Sequence, residues 1–187
     1  MAGPVTITLI PAEPTTSDEL EVQIVSEALD EDGDPVEYRY TWSQDGARRG
    51  DLASTSVTAD ETAKGETWSV TVTAFDGELE GPPAEASVTI LNTAPSVTVA
   101  LEPTAPESTD ALVAVVEGAD PDGDTLAYSY SWTIDGEATA HDGDTVPAAD
   151  TARGEIWAPC AACASRPTAP KATPPRVWAC TWRAPAP

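Results

Sequence analysis

Basic residues are scarce in this sequence: nine stand against 32 acidic ones among 187, a formal charge of -23. Such a field repels phosphate backbones and anionic lipid, so nucleic acid and membrane surfaces leave the list of expected partners. It suits either a solvated surface or an affinity for divalent cations. There is no run of about 18 apolar residues, so no membrane insertion is expected. The opening MAGPVTITLI has neither a basic n-region nor an apolar h-region. No signal peptide is legible in this chain, which reads as cytosolic or as a piece of something longer. Cysteine is missing until Cys160, with Cys163 and Cys180 beyond it, so no disulfide is expected to staple the first 159 residues.

Catalytic groups are equally thin. His141 is the only histidine, and it lies in the turn-like ATAHDGDT with no counterpart elsewhere in the chain, which argues against a Ser-His-Asp or Cys-His relay. Carboxylates are plentiful, but acid/base work needs one of them raised in an apolar cleft, and acids clustered in Asp-Gly turns offer no such contrast. No glycine-rich phosphate loop leads from a strand into a helix. The chain is therefore expected not to be an enzyme.

What is present is a unit written nearly twice. VTITLIPAEPTTSDEL from Val5 matches VTVALEPTAPESTDAL from Val97, placing Pro11, Pro14, Asp18 and Leu20 on Pro103, Pro106, Asp110 and Leu112. Tyr38, Tyr40 and Trp42 then match Tyr128, Tyr130 and Trp132, and TAKGETW matches TARGEIW. Repetition at this length means tandem domains. Apolar residues alternate at Val5, Ile7 and Leu9, at Leu20, Val22 and Ile24, and at Trp68, Val70 and Val72, with Pro, Gly, Asp and Thr clusters between. Each unit is thus expected to be an antiparallel sandwich of about 90 residues and seven strands, with Trp42 as core anchor.

Each unit also carries an aspartate loop, DEDGD with Asp30, Asp32 and Asp34, and DPDGD with Asp120, Asp122 and Asp124. Spacing i, i+2, i+4 gathers hard oxygen ligands on one tight bend at Gly33 or Gly123, as calcium loops begin. This is not an EF-hand: the glycine is fourth rather than sixth, and the twelfth position is Thr41 or Ser131 instead of Glu. In a sandwich of this topology the loop carrying Asp76 and Glu78 lies at the same pole, so Asp76 is the expected partner from elsewhere in the chain. The alternative is that each loop is only a strand-to-strand turn, with Asp and Gly supplying bend and solubility.

DPDGDTLAYSYSWTIDG, followed by the pattern TAKGETWSVTVTAFDGELEGPPAEASVTILNTAPSV, resembles the tandem immunoglobulin-like repeats, of cadherin-like and polycystic-kidney-disease-like type, of large bacterial surface and secreted proteins. The resemblance covers roughly residues 3 to 157. It implies an all-β chain of immunoglobulin-like sandwiches, an extracellular or cell-surface setting, and a non-catalytic spacer or adhesion role, with calcium bound in some members. Expected partners are neighbouring repeats of a longer chain and a protein or carbohydrate surface. The alternative is the accessory region of a larger secreted enzyme whose catalytic domain lies outside this chain.

The domain reading places a complete repeat at 3–91, a linker at 92–95, a second repeat cut short at 96–157, and an irregular tail at 158–187. The tail holds four of the nine basic residues, no acid and every cysteine. Read from the preceding third base, taken as G, Thr becomes Asp, Ala becomes Gly, Pro becomes Ala, Lys becomes Glu, and Trp or Cys becomes Val. Thr168 to Thr173 then spell Asp-Gly-Ala-Glu-Gly-Asp, close to DGELEG at 76 to 81. Trp178, Cys180 and Trp182 become valines opposite Ala86, Val88 and Ile90. The tail is accordingly expected to be out-of-frame translation, the other reading being a natural Pro/Ala-rich terminus. Three thiolates without a nearby fourth ligand argue against a zinc site.

Overall fold

A computed structural model describes residues 1–165 and 177–180, with Ser165 and the last four of these described by backbone alone. The chain divides into two compact units, Met1–Thr93 and Ala94–Pro187.

In the first unit β1 (Thr6–Ile10), β2 (Leu20–Ser26) and β5 (Ser56–Val57) form one sheet in the order β1-β2-β5. The other is β4-β3-β6-β7, built from β3 (Glu37–Gln44), β4 (Ala47–Arg49), β6 (Thr67–Phe75) and β7 (Ala84–Thr89). All pairings are antiparallel. The period of two along β6 turns Trp68, Val70, Val72 and Ala74 inward. There they share one core with Trp42 from β3 and with Leu9, Leu20, Val22 and Val57 from the facing sheet. Trp42 and Trp68, both 0% exposed, meet edge to face with centroids 6.4 Å apart. Such a pair contributes about 0.5–1.5 kcal/mol beyond its area burial. The Trp42 indole N–H is satisfied by the Ser54 carbonyl at 2.9 Å.

The second unit repeats this plan. One sheet runs β12-β9-β8, with β8 (Ser96–Glu102), β9 (Leu112–Ala119) and β12 (Thr145–Val146). The other runs β11-β10-β13-β14, with β10 (Leu126–Ile134), β11 (Glu137–Ala138), β13 (Trp157–Ser165) and β14 (Val177–Cys180). Trp132 stands where Trp42 does, edge to face with Trp157 at 6.4 Å, and its N–H reaches the Gly143 carbonyl at 2.8 Å.

Here the structure corrects the domain reading. The expected irregular tail begins instead with β13, which fills every ladder position from Leu126 to Ile134, and β14 pairs with it in turn. The second sandwich is therefore not cut short at Trp157. A ladder is made by backbone groups and does not require alternating apolar side chains. Small residues meet the burial requirement, with Ala161, Ala162 and Cys163 at 0%, 1% and 0% exposure. The register is corrected as well. Ala161 faces Ala179 and Cys163 faces Val177, as Val72 faces Ala84 in the first unit, so Trp178 and Cys180 take ladder positions of the opposite parity from those expected. Trp182 and Thr168 to Thr173 lie outside the described residues.

Candidate cation sites at the aspartate loops

The first aspartate loop follows β2, with Ala28 held by its N–H on the Tyr38 hydroxyl at 3.0 Å. Gly33 takes φ +83° and Gly123, in the second loop, +71°, the left-handed bend foreseen for both. Asp30 closes its loop on itself: Oδ1 accepts the backbone N–H of Asp32 at 2.8 Å and of Asp34 at 3.4 Å. In the loop after β6, Asp76 Oδ1 likewise accepts the N–H groups of Glu78 at 2.9 Å and Leu79 at 2.7 Å.

With one oxygen of each carboxylate pinned, the other is aimed. Asp30 Oδ2 and Asp76 Oδ2 lie 3.0 and 3.1 Å from the Met1 α-ammonium, on side chains only 1% and 5% exposed. Among the described residues the buried Asp30 Oδ2 has no hydrogen-bond partner apart from this ammonium. Asp30 and Asp76 are thus brought together around a cation that is the chain's own first nitrogen. That ammonium holds the Asp30 carboxyl below its usual range, helped by the Asp32 and Asp34 amides against the opposing effect of burial. Asp76 is lowered chiefly by the Leu79 and Glu78 amides, with the ammonium adding to them. Hydrogen bonds to Asp30 and then Asp76 raise the ammonium to about 10.

The structure uses Asp32, Asp34 and Glu78 through their backbone N–H groups, while the Asp30 loop borders a depression of about 370 Å³ that also touches Asp34, Val36 and Tyr38. Sequence reasoning missed Met1, because a terminal charge has no motif; the only signal was that the first strand starts a few residues on.

The second loop folds identically at Asp120, whose Oδ1 accepts the N–H of Asp122 at 2.9 Å and of Asp124 at 3.2 Å. Asp120 Oδ2 is buried without a hydrogen-bond partner among the described residues. Carboxylate oxygens of Asp120, Asp122 and Asp124 lie within 4.8 Å of one another, the only such group of three among the described residues. Two oxygens on opposite sides of a calcium ion at about 2.4 Å are about 4.8 Å apart, so all three can touch one ion. A buried carboxylate oxygen with no donor is costly unless a cation completes it, so these residues fit a hard divalent ion. His141, half-buried, meets the Trp157 ring edge to face at 5.7 Å and lies 3.8 Å from Asp150.

Three strands facing four, with acidic loops at a pole of each unit, define the class: the chain is all-β and built of immunoglobulin-like sandwiches. No family model and no curated protein matches it. Among solved structures it is similar to the three N-terminal domains of the bacteriophage RB49 Highly Immunogenic Outer Capsid protein (Hoc), with TM-score 0.38 and 15% identity over 95% of this chain. The chain spans 58% of the length of that one. It is also similar to murine CEACAM1b, with TM-score 0.32 and 13% identity, covering 87% of this chain and 92% of that one. Among the described residues no helix is long and apolar enough to cross a membrane.

Proposed function

We propose that this chain is a non-catalytic pair of immunoglobulin-like modules from an extracellular or cell-surface protein, acting as spacer or adhesion unit, and that its aspartate loops bind calcium. One observation carries the cation reading: in both units a carboxylate is pinned by two backbone amides so that its second oxygen is buried and points away from the loop. In the first unit that oxygen has met a cation; in the second it has met none of the described groups. Asp120, Asp122 and Asp124 supply the ligands there, and Asp30, Asp32, Asp34 and Asp76 in the first unit. The -23 charge favours the same ion by mass field, and it repels competing polyanions. The tandem arrangement supports neighbouring repeats as partners, with a protein or carbohydrate surface as the adhesive target.

With few carboxylates and no bidentate Glu at the EF-hand position, the dissociation constant is expected at roughly 0.1–1 mM. Calcium at about a hundred times that constant should add roughly 2.7 kcal/mol to unfolding of the unit that binds it. The experiment is a thermal melt of the whole chain in calcium, in magnesium and in chelator, repeated for Asp120→Asn and Asp30→Asn. Calcium should raise a melting transition more than magnesium does, and Asp120→Asn should remove most of the second unit's gain. Identical melts in all three solutions would reduce both loops to turns.

A further inference from the structure

The two repeats correspond residue for residue in sequence around one pole of the sandwich. In the first unit that pole is closed by Ile90, Leu91, Asn92 and Thr93, just past β7. Ile90, 1% exposed, enters the core, its carbonyl accepting Gly65 N–H at 2.8 Å and its own N–H reaching the Glu66 carbonyl at 2.9 Å. Leu91 N–H donates to the Pro14 carbonyl at 2.7 Å. Lys64 Nζ donates to Asn92 Oδ1 at 3.0 Å, and the Thr16 and Thr93 hydroxyls share a hydrogen bond of 2.7 Å. Beneath this closure Trp68 is fully buried.

The berth itself recurs in the second unit. Pro106 stands for Pro14, Ser108 for Thr16, Arg153 for Lys64, Gly154 for Gly65, Glu155 for Glu66 and Trp157 for Trp68. Even the indole contact is kept, Trp68 N–H to Glu66 at 2.9 Å and Trp157 N–H to Glu155 at 3.0 Å. Yet there these residues line a groove of about 290 Å³, and Trp157 is only half-buried. Among the described residues, Gly154 N–H and the Glu155 and Pro106 carbonyls make none of the three backbone bonds their counterparts make.

We infer that this groove between Pro106 and Trp157 is a docking site for an extended peptide with the chemistry of Ile90–Thr93, the closing segment of a like repeat. The argument is internal: the same chain shows, on the same residue types, what fills the berth. A branched apolar side chain joins the core that holds the indole, one backbone donor and two backbone acceptors are satisfied by a strand end, and the basic residue at 153 meets a side-chain amide. Backbone bonds provide affinity and the apolar residue provides selectivity, as in strand addition elsewhere. This inference goes beyond the calcium reading and stands without it.

The test adds a synthetic peptide copying residues 86 to 93 to the full chain and follows backbone amide shifts, with a second peptide carrying Ile90→Asp. Saturable shifts are expected at Gly154 and Glu155 and not at Gly65, whose N–H is already bonded. The Ile90→Asp peptide should bind at least about tenfold more weakly, since the buried branched side chain is lost. Absence of saturable shifts at Gly154, or equal affinity of the two peptides, overturns the inference.

Discussion

Asp30 and Asp76 sit on separate loops, and each spends one carboxylate oxygen on two backbone amides and turns the other to the same α-ammonium, at 3.0 and 3.1 Å. Neither carboxylate side chain is exposed by more than 5%, and the ammonium is their counterion. This relationship makes the first unit's stability depend on pH at both ends of the scale.

Both carboxylates are lowered on folding, so their contribution is present above the unfolded value of about 3.9 and is lost as pH falls through the folded values. The ammonium is raised from 8.0 to about 10, so its contribution is complete below about 8 and is lost as pH rises through about 10. Tyr40, Tyr130 and Cys163, raised by burial, act in the same alkaline direction. Acetylating the Met1 nitrogen separates them: melts across the pH range should lose stability at neutral pH, lose the part of the alkaline limb due to the ammonium, and weaken the acid limb, where Asp30 loses its main support and Asp76 keeps that of the Leu79 and Glu78 amides. An alkaline limb unchanged by acetylation would show that the ammonium does not stabilise the fold.

Gly81 and Gly118 should differ in how far they tolerate a methyl group. A Cβ at Gly81 would lie 2.5 Å from the Ala2 carbonyl oxygen and 2.9 Å from that of Gly3, both backbone, in the segment that delivers the ammonium. At Gly118 the closest atoms are the Tyr128 hydroxyl at 2.6 Å and Leu126 Cδ1 at 2.8 Å, both ends of side chains that can swing. The first unit carries Ala28 at the corresponding place. Gly81→Ala should cost about 1–3 kcal/mol, and Gly118→Ala about 1 kcal/mol or less. Chemical denaturation of each variant measures the difference; equal costs would refute it.

Trp42→Ala should be among the most damaging single changes in the first unit. It removes a fully buried indole, leaves Trp68 without its edge-to-face partner and strips the Ser54 carbonyl of its donor. About 3–5 kcal/mol is expected. Trp42→Phe should recover part of this, since the ring contact survives and the N–H does not, and urea melts of both variants check the ranking.

Ending the chain at Trp157 should dismantle the second unit. β10 would lose its ladder partner from Leu126 to Thr133, and buried Ala161 would leave the core of Trp132, Leu112 and Val146. Amide exchange between Leu126 and Ile134 is expected to be slow in the full chain and fast in the shortened one. Fast exchange in both would restore the reading in which the second sandwich is incomplete.

Much of this architecture is decided locally and so can be read along the chain. Alternation in TWSVTVTAF places Trp68, Val70, Val72 and Ala74 on one face because successive strand residues point opposite ways. The bends at Gly33 and Gly123, and the carboxylates beside them, follow from residue types within five positions of one another. Tertiary structure decided the rest. In β13, alanine, cysteine and proline present no apolar-polar contrast, and the strand exists through backbone pairing with β10 and through small residues that fit a closed core. Nothing in the local sequence announces such long-range pairing. The same holds for the Met1 ammonium between Asp30 and Asp76, and for the difference between buried Trp68 and half-buried Trp157 on nearly identical local sequence. Each depends on which distant segment arrives to satisfy a charge, a hydrogen-bonding group or an apolar face, and that is set by the sandwich as a whole.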